Sequence, residues 1–267
     1  MRCWIAAICL LLAMMASASV SATPAGLCPK GGPIRYAHYE FGLLYTPEFG
    51  GIDEDIRREL EKRSGCRFQT SLRPRARIWL DLARGDLDMA GSGIQTPERD
   101  TFAWFAHYVL EDNQVVLGPR VPAELRDWSA FQAEPALKLG GVRSFSYSPF
   151  YDDQVDAVAR QGRFVPVSDV RTLYRLFAHG QLDALIGSQF LIGHYQKHLK
   201  LPPLRIEDWD PAPATPSGLV ISKRRFTAAQ ARAWKALMRE MLQDGTVLRI
   251  VSQYLPKEQA ARLVYQP

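Results

Sequence analysis

Arg99 is the residue in this chain best suited to hold a small anion. It follows Thr96-Pro97-Glu98, in which Thr96 is a good helix N-cap and Pro97 a good first helical residue. That spacing predicts a helix with Arg99 in its first turn, beside backbone N–H groups that lack partners and favour an anion. A guanidinium adds a planar, two-pronged donor that matches a carboxylate. The alternative for Arg99 is a solvated surface arginine. Just upstream, Gly91-Ser92-Gly93 would let backbone come close to a ligand, since glycine has no Cβ, although a plain loop reads the same way. Tyr39 and Tyr45 follow the first expected strand and could stack on a ligand or simply pack in a core. Ser146 and Tyr147 follow a later strand, where their hydroxyls could donate to a ligand or cap the next turn.

Other reactive constellations are weak. His38 and Glu40 are the only acid–base candidates near these residues, and a polar pair at a strand edge explains them as well. His194 and His198 have helical metal-ligand spacing but no glutamate beside the first and no evident third ligand, so neither a metal nor a cofactor is expected. Nucleophile-elbow, phosphate-loop and paired-carboxylate motifs are missing from the sequence, which argues against an enzyme.

The elements that must position these residues alternate strand and helix. Strands are expected at Ile34–His38, Cys66–Leu72, Leu87–Ala90, Val115–Leu117, Leu137–Val142, Phe164–Val167, Leu182–Ile186 and Leu219–Ser222. Helices are expected at Ile52–Arg63, Ile78–Ala83, about Tyr151–Arg160 and Val170–His179, with a long one carrying Ala231, Trp234, Leu237, Met238 and Met241 on one face. This alternation predicts an α/β fold with parallel-type sheets.

The compartment is written in the first residues. Met1-Arg2, the apolar run Trp4–Met15 and the small residues Val20-Ser21-Ala22 make a three-part secretory signal peptide, residues 1–22, cut after Ala22. The apolar run is short for a bilayer span of about 20 residues, and no later stretch is long enough, so the exported chain is expected to be periplasmic and not inserted in the membrane. Cys3 and Cys9 leave with the signal. Cys28 and Cys66 remain as an even pair in an oxidising compartment and are expected to form one disulfide. The formal net charge is +5, with basic and acidic residues interspersed, so no nucleic-acid footprint is expected.

Three passages resemble the family 3 extracellular solute-binding proteins, the polar amino acid receptors of ABC transporters. Gly51-Ile52-Asp53-Glu54-Asp55-Ile56 is similar to the family's start of the first helix. Gly85-Asp86-Leu87-Asp88 through Thr96-Pro97-Glu98-Arg99 is similar to its binding turn, and Gln243-Asp244-Gly245-Thr246 with Ser252-Gln253-Tyr254 to its C-terminal signature. The resemblance implies a two-lobed periplasmic binding protein fold of type II. Residues 23–117 and 218–267 would form lobe one and residues 118–217 lobe two, joined by two crossing strands. It implies a small-molecule ligand in the cleft with its carboxylate on Arg99, a membrane permease as partner, and a monomer.

Three positions depart from the family pattern. Ile94 stands where a serine or threonine is usual, Ser188 where an aspartate holds the ligand ammonium, and Arg75 where an aromatic shelf is expected. The resemblance therefore implies a carboxylate grip without the usual amine grip: an acid lacking a free α-amine, or an amine held by tyrosine faces. A sensor or accessory protein of the same fold and a dehydratase-like enzyme are the competing readings.

Overall fold

A computed structural model describes residues 26–29 and 31–267; the expected signal segment, residues 1–22, lies outside them. The chain first lays down β1 (Ile34–His38), α1 (Ile52–Ser64), β2 (Phe68–Leu72), α2 (Arg75–Arg84), β3 (Met89–Ile94) and β4 (Ala103–Glu111). It then builds β5 (Asn113–Leu117), α3 (Trp128–Ala133), β6 (Leu139–Val142), α4 (Pro149–Arg160), β7 (Phe164–Val167), α5 (Val170–Ala178), β8 (Ala184–Ser188), α6 (Gln189–His198) and β9 (Arg205–Glu207). The last part holds β10 (Thr215–Ser222), α7 (Ala228–Gln243), α8 (Thr246–Val251) and α9 (Lys257–Leu263).

These strands form two five-stranded sheets, ordered β2-β1-β3-β10-β4 and β7-β6-β8-β5-β9. Each has a parallel half and an antiparallel insertion. In the first, β10 runs antiparallel to both β3 and β4; in the second, β5 runs antiparallel to both β8 and β9. The crossing between lobes, expected near Val115–Leu117 and Leu219–Ser222, is displaced. Val115–Leu117 pairs wholly within the second sheet and Leu219–Ser222 wholly within the first. The chain therefore changes sheets at Asp112 and again between Glu207 and Thr215. The displacement comes from β4, which the sequence reading missed. Its outward residues include Trp104 and His107, and it ends on the buried Glu111, so hydrophobic alternation does not mark it.

Two helices are built to serve the cleft. On α1, Ile52, Ile56 and Leu60 recur every fourth residue and are buried, acidic residues open the helix and basic ones close it, and Gly65 ends it with φ 69°. Helix α2 starts at Arg75, earlier than expected, because Pro74 supplies an extended entry to the helix. The early start matters: Arg75 and Trp79 become i and i+4 on one buried face.

Cys28 and Cys66 are bonded to each other, with their Cα atoms 5.4 Å apart and a sequence separation of 38. A closed loop of that length should contribute about 4 kcal/mol through the unfolded chain. Reduction, or a Cys28→Ser/Cys66→Ser double variant, should lower the unfolding free energy by that order in urea titration. Equal midpoints for the oxidised and reduced protein would contradict it.

Candidate functional site

Arg99 does not open an α-helix. The Thr96 hydroxyl accepts the Arg99 N–H at 3.2 Å, and the chain makes only a single 3-10 turn over Arg99–Thr101 before entering β4. The expected help from a helix terminus is therefore withdrawn, and the guanidinium works alone. It is 8% exposed and lies over the Trp79 ring, 4.0 Å from the centroid. Nη1 donates to the Ile94 carbonyl at 2.7 Å, and Nη2 donates across the cleft to the Ser144 carbonyl at 2.9 Å. The Trp79 indole N–H donates to the same Ser144 oxygen at 3.2 Å. Among the described residues no carboxylate pairs with this cation, and burial, with Arg75 nearby, pulls its pKa down to about 10.

Arg75 is a second buried guanidinium facing the same place. It donates to the Ser92 carbonyl at 2.6 Å and lies 3.2 Å from the Tyr39 ring centroid. It too lacks a carboxylate partner among the described residues. Glu111, at the end of β4, completes the set; burial pushes its carboxyl up to about 7. These groups line a cavity of about 20 Å³ with Phe41 and, from the facing lobe, Ser144, Phe145 and Ser146. That volume suits one or two waters. Phe145 fills the rest, its ring 5.6 Å from Phe41 and 5.8 Å from Tyr39. The 144–146 loop thus crosses the cleft as a partition, with a groove of about 730 Å³ on the Trp79–Pro97 side and one of about 280 Å³ on the Arg73–Arg75 side. Ser144 adopts φ 62°, a left-handed conformation uncommon outside glycine, in presenting its carbonyl to Arg99.

The other expected residues divide. Tyr39, Arg75, Ile94 and Arg99 converge on the cavity, and so does the Ser92 backbone. The Ser92 side chain is engaged inside the first lobe: its hydroxyl donates to Asp53 at 2.7 Å and its N–H to the Tyr108 hydroxyl at 2.9 Å. Tyr108 in turn donates to the same Asp53 oxygen at 2.5 Å, which closes a buried network. The neighbouring glycines are explained by packing. A Cβ on Gly91 would stand 2.5 Å from Asp53 and from the Tyr36 hydroxyl, and one on Gly93 would stand 2.2 Å from Val220. Gly93 is therefore required by its packing against Val220.

Tyr45 stacks on His38 with centroids 4.0 Å apart, outside the cavity. Ser146 reaches the rim, but its hydroxyl donates to Asp152. Tyr147 is buried, and its hydroxyl accepts the Val142 N–H at 3.3 Å. Ser188 is fully buried at the start of α6 and is not among the residues that line the cavity. His38 bonds to Glu54 at 3.0 Å. Glu40 accepts from Arg171 at 2.9 Å and from the Tyr195 hydroxyl at 2.8 Å, so it latches the lobes together. The His194 and His198 rings stack 4.1 Å apart.

Sequence reasoning missed Trp79, Glu111, Phe41 and Phe145. The i+4 spacing of Trp79 from Arg75 is a usable signal. Glu111 had none until β4 was recognised.

The sequence profile of the bacterial extracellular solute-binding proteins, family 3, matches residues 34–257. The chain belongs to that family. Its members are extracellular or periplasmic, and among the described residues no helix is long and apolar enough to cross a membrane. Among curated proteins compared by sequence, none matches. Solved structures share the fold. The substrate-binding protein of an amino acid ABC transporter is 17% identical, with TM-score 0.66 over 84% of this chain and 99% of its own. A histidine kinase sensor domain similar to periplasmic binding proteins is 13% identical, with TM-score 0.69 over 88% and 98%. An ancestral amino acid-binding protein, a precursor of cyclohexadienyl dehydratase, is 16% identical, with TM-score 0.66 over 83% and 95%.

Glu111 makes stability depend on pH. An ordinary carboxyl titrates near 4.5, whereas the buried one holds its proton to about 7. Between those values only the folded protein binds that proton, so this group's contribution falls as pH rises, by about 1.4 kcal/mol per unit. Glu111→Gln should therefore unfold at higher urea than the parent near pH 8, and the gap should shrink as pH falls toward about 5. A gap that does not change with pH would refute the assignment.

Proposed function

We propose that this protein is an exported periplasmic solute-binding protein that takes a small carboxylate-bearing molecule into its inter-lobe cleft on Arg99 and delivers it to an ABC-transporter permease. One observation carries the reading: a nearly fully buried guanidinium whose fork meets only backbone carbonyls, one of them from the opposite lobe. A buried charge of this kind is costly without an anion. A ligand carboxylate offers a charged oxygen in place of the neutral Ser144 carbonyl, and the stronger charge-assisted bond supplies the free energy to displace it. Exchange of Ser144 for ligand also ties binding to movement of the second lobe, since the displaced group belongs to it. Binding is favoured over catalysis because the acid–base candidates His38 and Glu40 pair with Glu54, Arg171 and Tyr195 and do not line the Arg99 cavity.

A second reading, a periplasmic sensor or accessory domain, is favoured by the direct bonds between lobes. Arg171 joins Glu40 and Glu48, Tyr195 joins Glu40, and Arg99 and Trp79 join Ser144. Such contacts give a sensor a defined closed state for a ligand to disturb.

Thermal-shift screening with small carboxylic acids and amino acids should find a stabilising ligand, worth about 2.7 kcal/mol at a hundredfold excess over Kd. For that ligand, Arg99→Ala should weaken binding about 30-fold to several thousand-fold by calorimetry, since losing one side of a buried charge pair costs about 2–5 kcal/mol. Arg99→Lys should recover little, because a point charge does not reproduce the fork. Near-parental affinity in Arg99→Ala would move the site elsewhere.

A further inference from the structure

Two cations, not one, close on the cavity. Arg99 enters from the turn after β3 and Arg75 from the first turn of α2; they are 8% and 4% exposed. Each is bonded to backbone carbonyls only, Arg99 to Ile94 and Ser144, Arg75 to Ser92 and, at 3.4 Å, Gly91. Glu111, 4% exposed, is the carboxyl among the residues that line this cavity. We infer that Arg75 and Arg99 together seat a ligand with two acidic groups, a small dicarboxylate, beside the buried Glu111 carboxyl. The inference rests on the reading of Arg99 as a carboxylate site.

The charge balance selects this class. A zwitterion brings no net charge and leaves the cations as uncompensated as before. A monocarboxylate balances one cation, and the other then depends on an ionised Glu111. A dicarboxylate balances both, provided that Glu111 is neutral, because a third buried negative charge would repel it. The groups facing Glu111 act in both directions. The Ser217 hydroxyl on β10, then Arg75 from α2 and Arg99 from the turn, favour its ionised form, while Asp53 from α1 opposes it; Tyr39 from the end of β1 is a neutral phenol there. Burial outweighs the cations and leaves the carboxyl at about 7, so the proton is available near neutrality. Room for the ligand comes from the partition: when Ser144 and Phe145 withdraw, the cavity opens into the grooves on either side.

Calorimetry on the mature protein with malonate, succinate and glutarate, against butyrate and glutamine, tests this at ~pH 6 and ~pH 8. At least one dicarboxylate should bind more than about tenfold tighter than butyrate or glutamine. Its affinity should drop about tenfold between the two pH values, with net proton uptake seen as heat that depends on the buffer. Arg75→Gln should erase the advantage over butyrate; should that variant melt early, Arg75→Lys, which keeps a charge but loses the fork as at Arg99, should still lose most of it. Glu111→Gln should bring the affinities at the two pH values together and remove the proton uptake. Butyrate or glutamine binding as tightly as every dicarboxylate would overturn the inference and leave the Arg99 site standing. Proton release on binding, or an unchanged pH dependence in Glu111→Gln, would also overturn it. Failure of every carboxylate, single or double, would remove the Arg99 reading and this inference with it.

Discussion

The bond from the Arg99 guanidinium to the Ser144 carbonyl is the contact on which the arrangement of the cleft depends. It joins the first lobe to the second through a charge held out of water, over an indole that donates to the same oxygen. A neutral carbonyl is an adequate partner for such a cation and a replaceable one. The same geometry therefore holds the lobes together and leaves a place where a stronger acceptor can enter.

Behind that contact lies a rigid support. Asp53, from the start of α1, accepts bonds from Ser92 and Tyr108 in the interior, and Gly91 lies against its carboxylate with no room for a side chain. This network fixes the end of β3, and with it the Ile94 carbonyl and the turn that carries Arg99. Burial raises the Asp53 carboxyl above its ordinary value, while the hydroxyls of Tyr108 and Ser92 oppose that shift. The acidic start of α1 thus does more than complement a helix dipole: one of its members is structural.

The electrostatic character of the cavity follows from which charges are shared. Glu40, Glu48 and Glu54 are taken by Arg171, Arg57 and His38 around the cleft rim and the first helix. Arg75 and Arg99 keep no such partners among the described residues, and Glu111 yields its charge to burial. The lobes therefore close over an excess of positive charge walled by Tyr39, Phe41, Trp79 and Phe145, which strengthens any anion's interaction by excluding water.

The sequence by itself determined what depends on local pattern and covalent order. The helix α1 was legible in the spacing of Ile52, Ile56 and Leu60, and the pairing of Cys28 with Cys66 in their even count. Arg99 stood out in the passage that leads to it, though its partners did not. Arg75 was visible as a departure from pattern, though its destination was not. Only the tertiary structure decided what faces what. It gave the glycines beside Ser92 a packing reason, because their Cβ positions are occupied by Asp53, Tyr36 and Val220. It moved Tyr45, Tyr147 and Ser188 away from the cavity and brought Trp79, Glu111 and Phe145 in. These depend on contacts between segments far apart in sequence. Glu111 faces Arg99 because β4 pairs with β10, and Ser144 faces it because the chain changes sheets at Asp112, and no local periodicity encodes either.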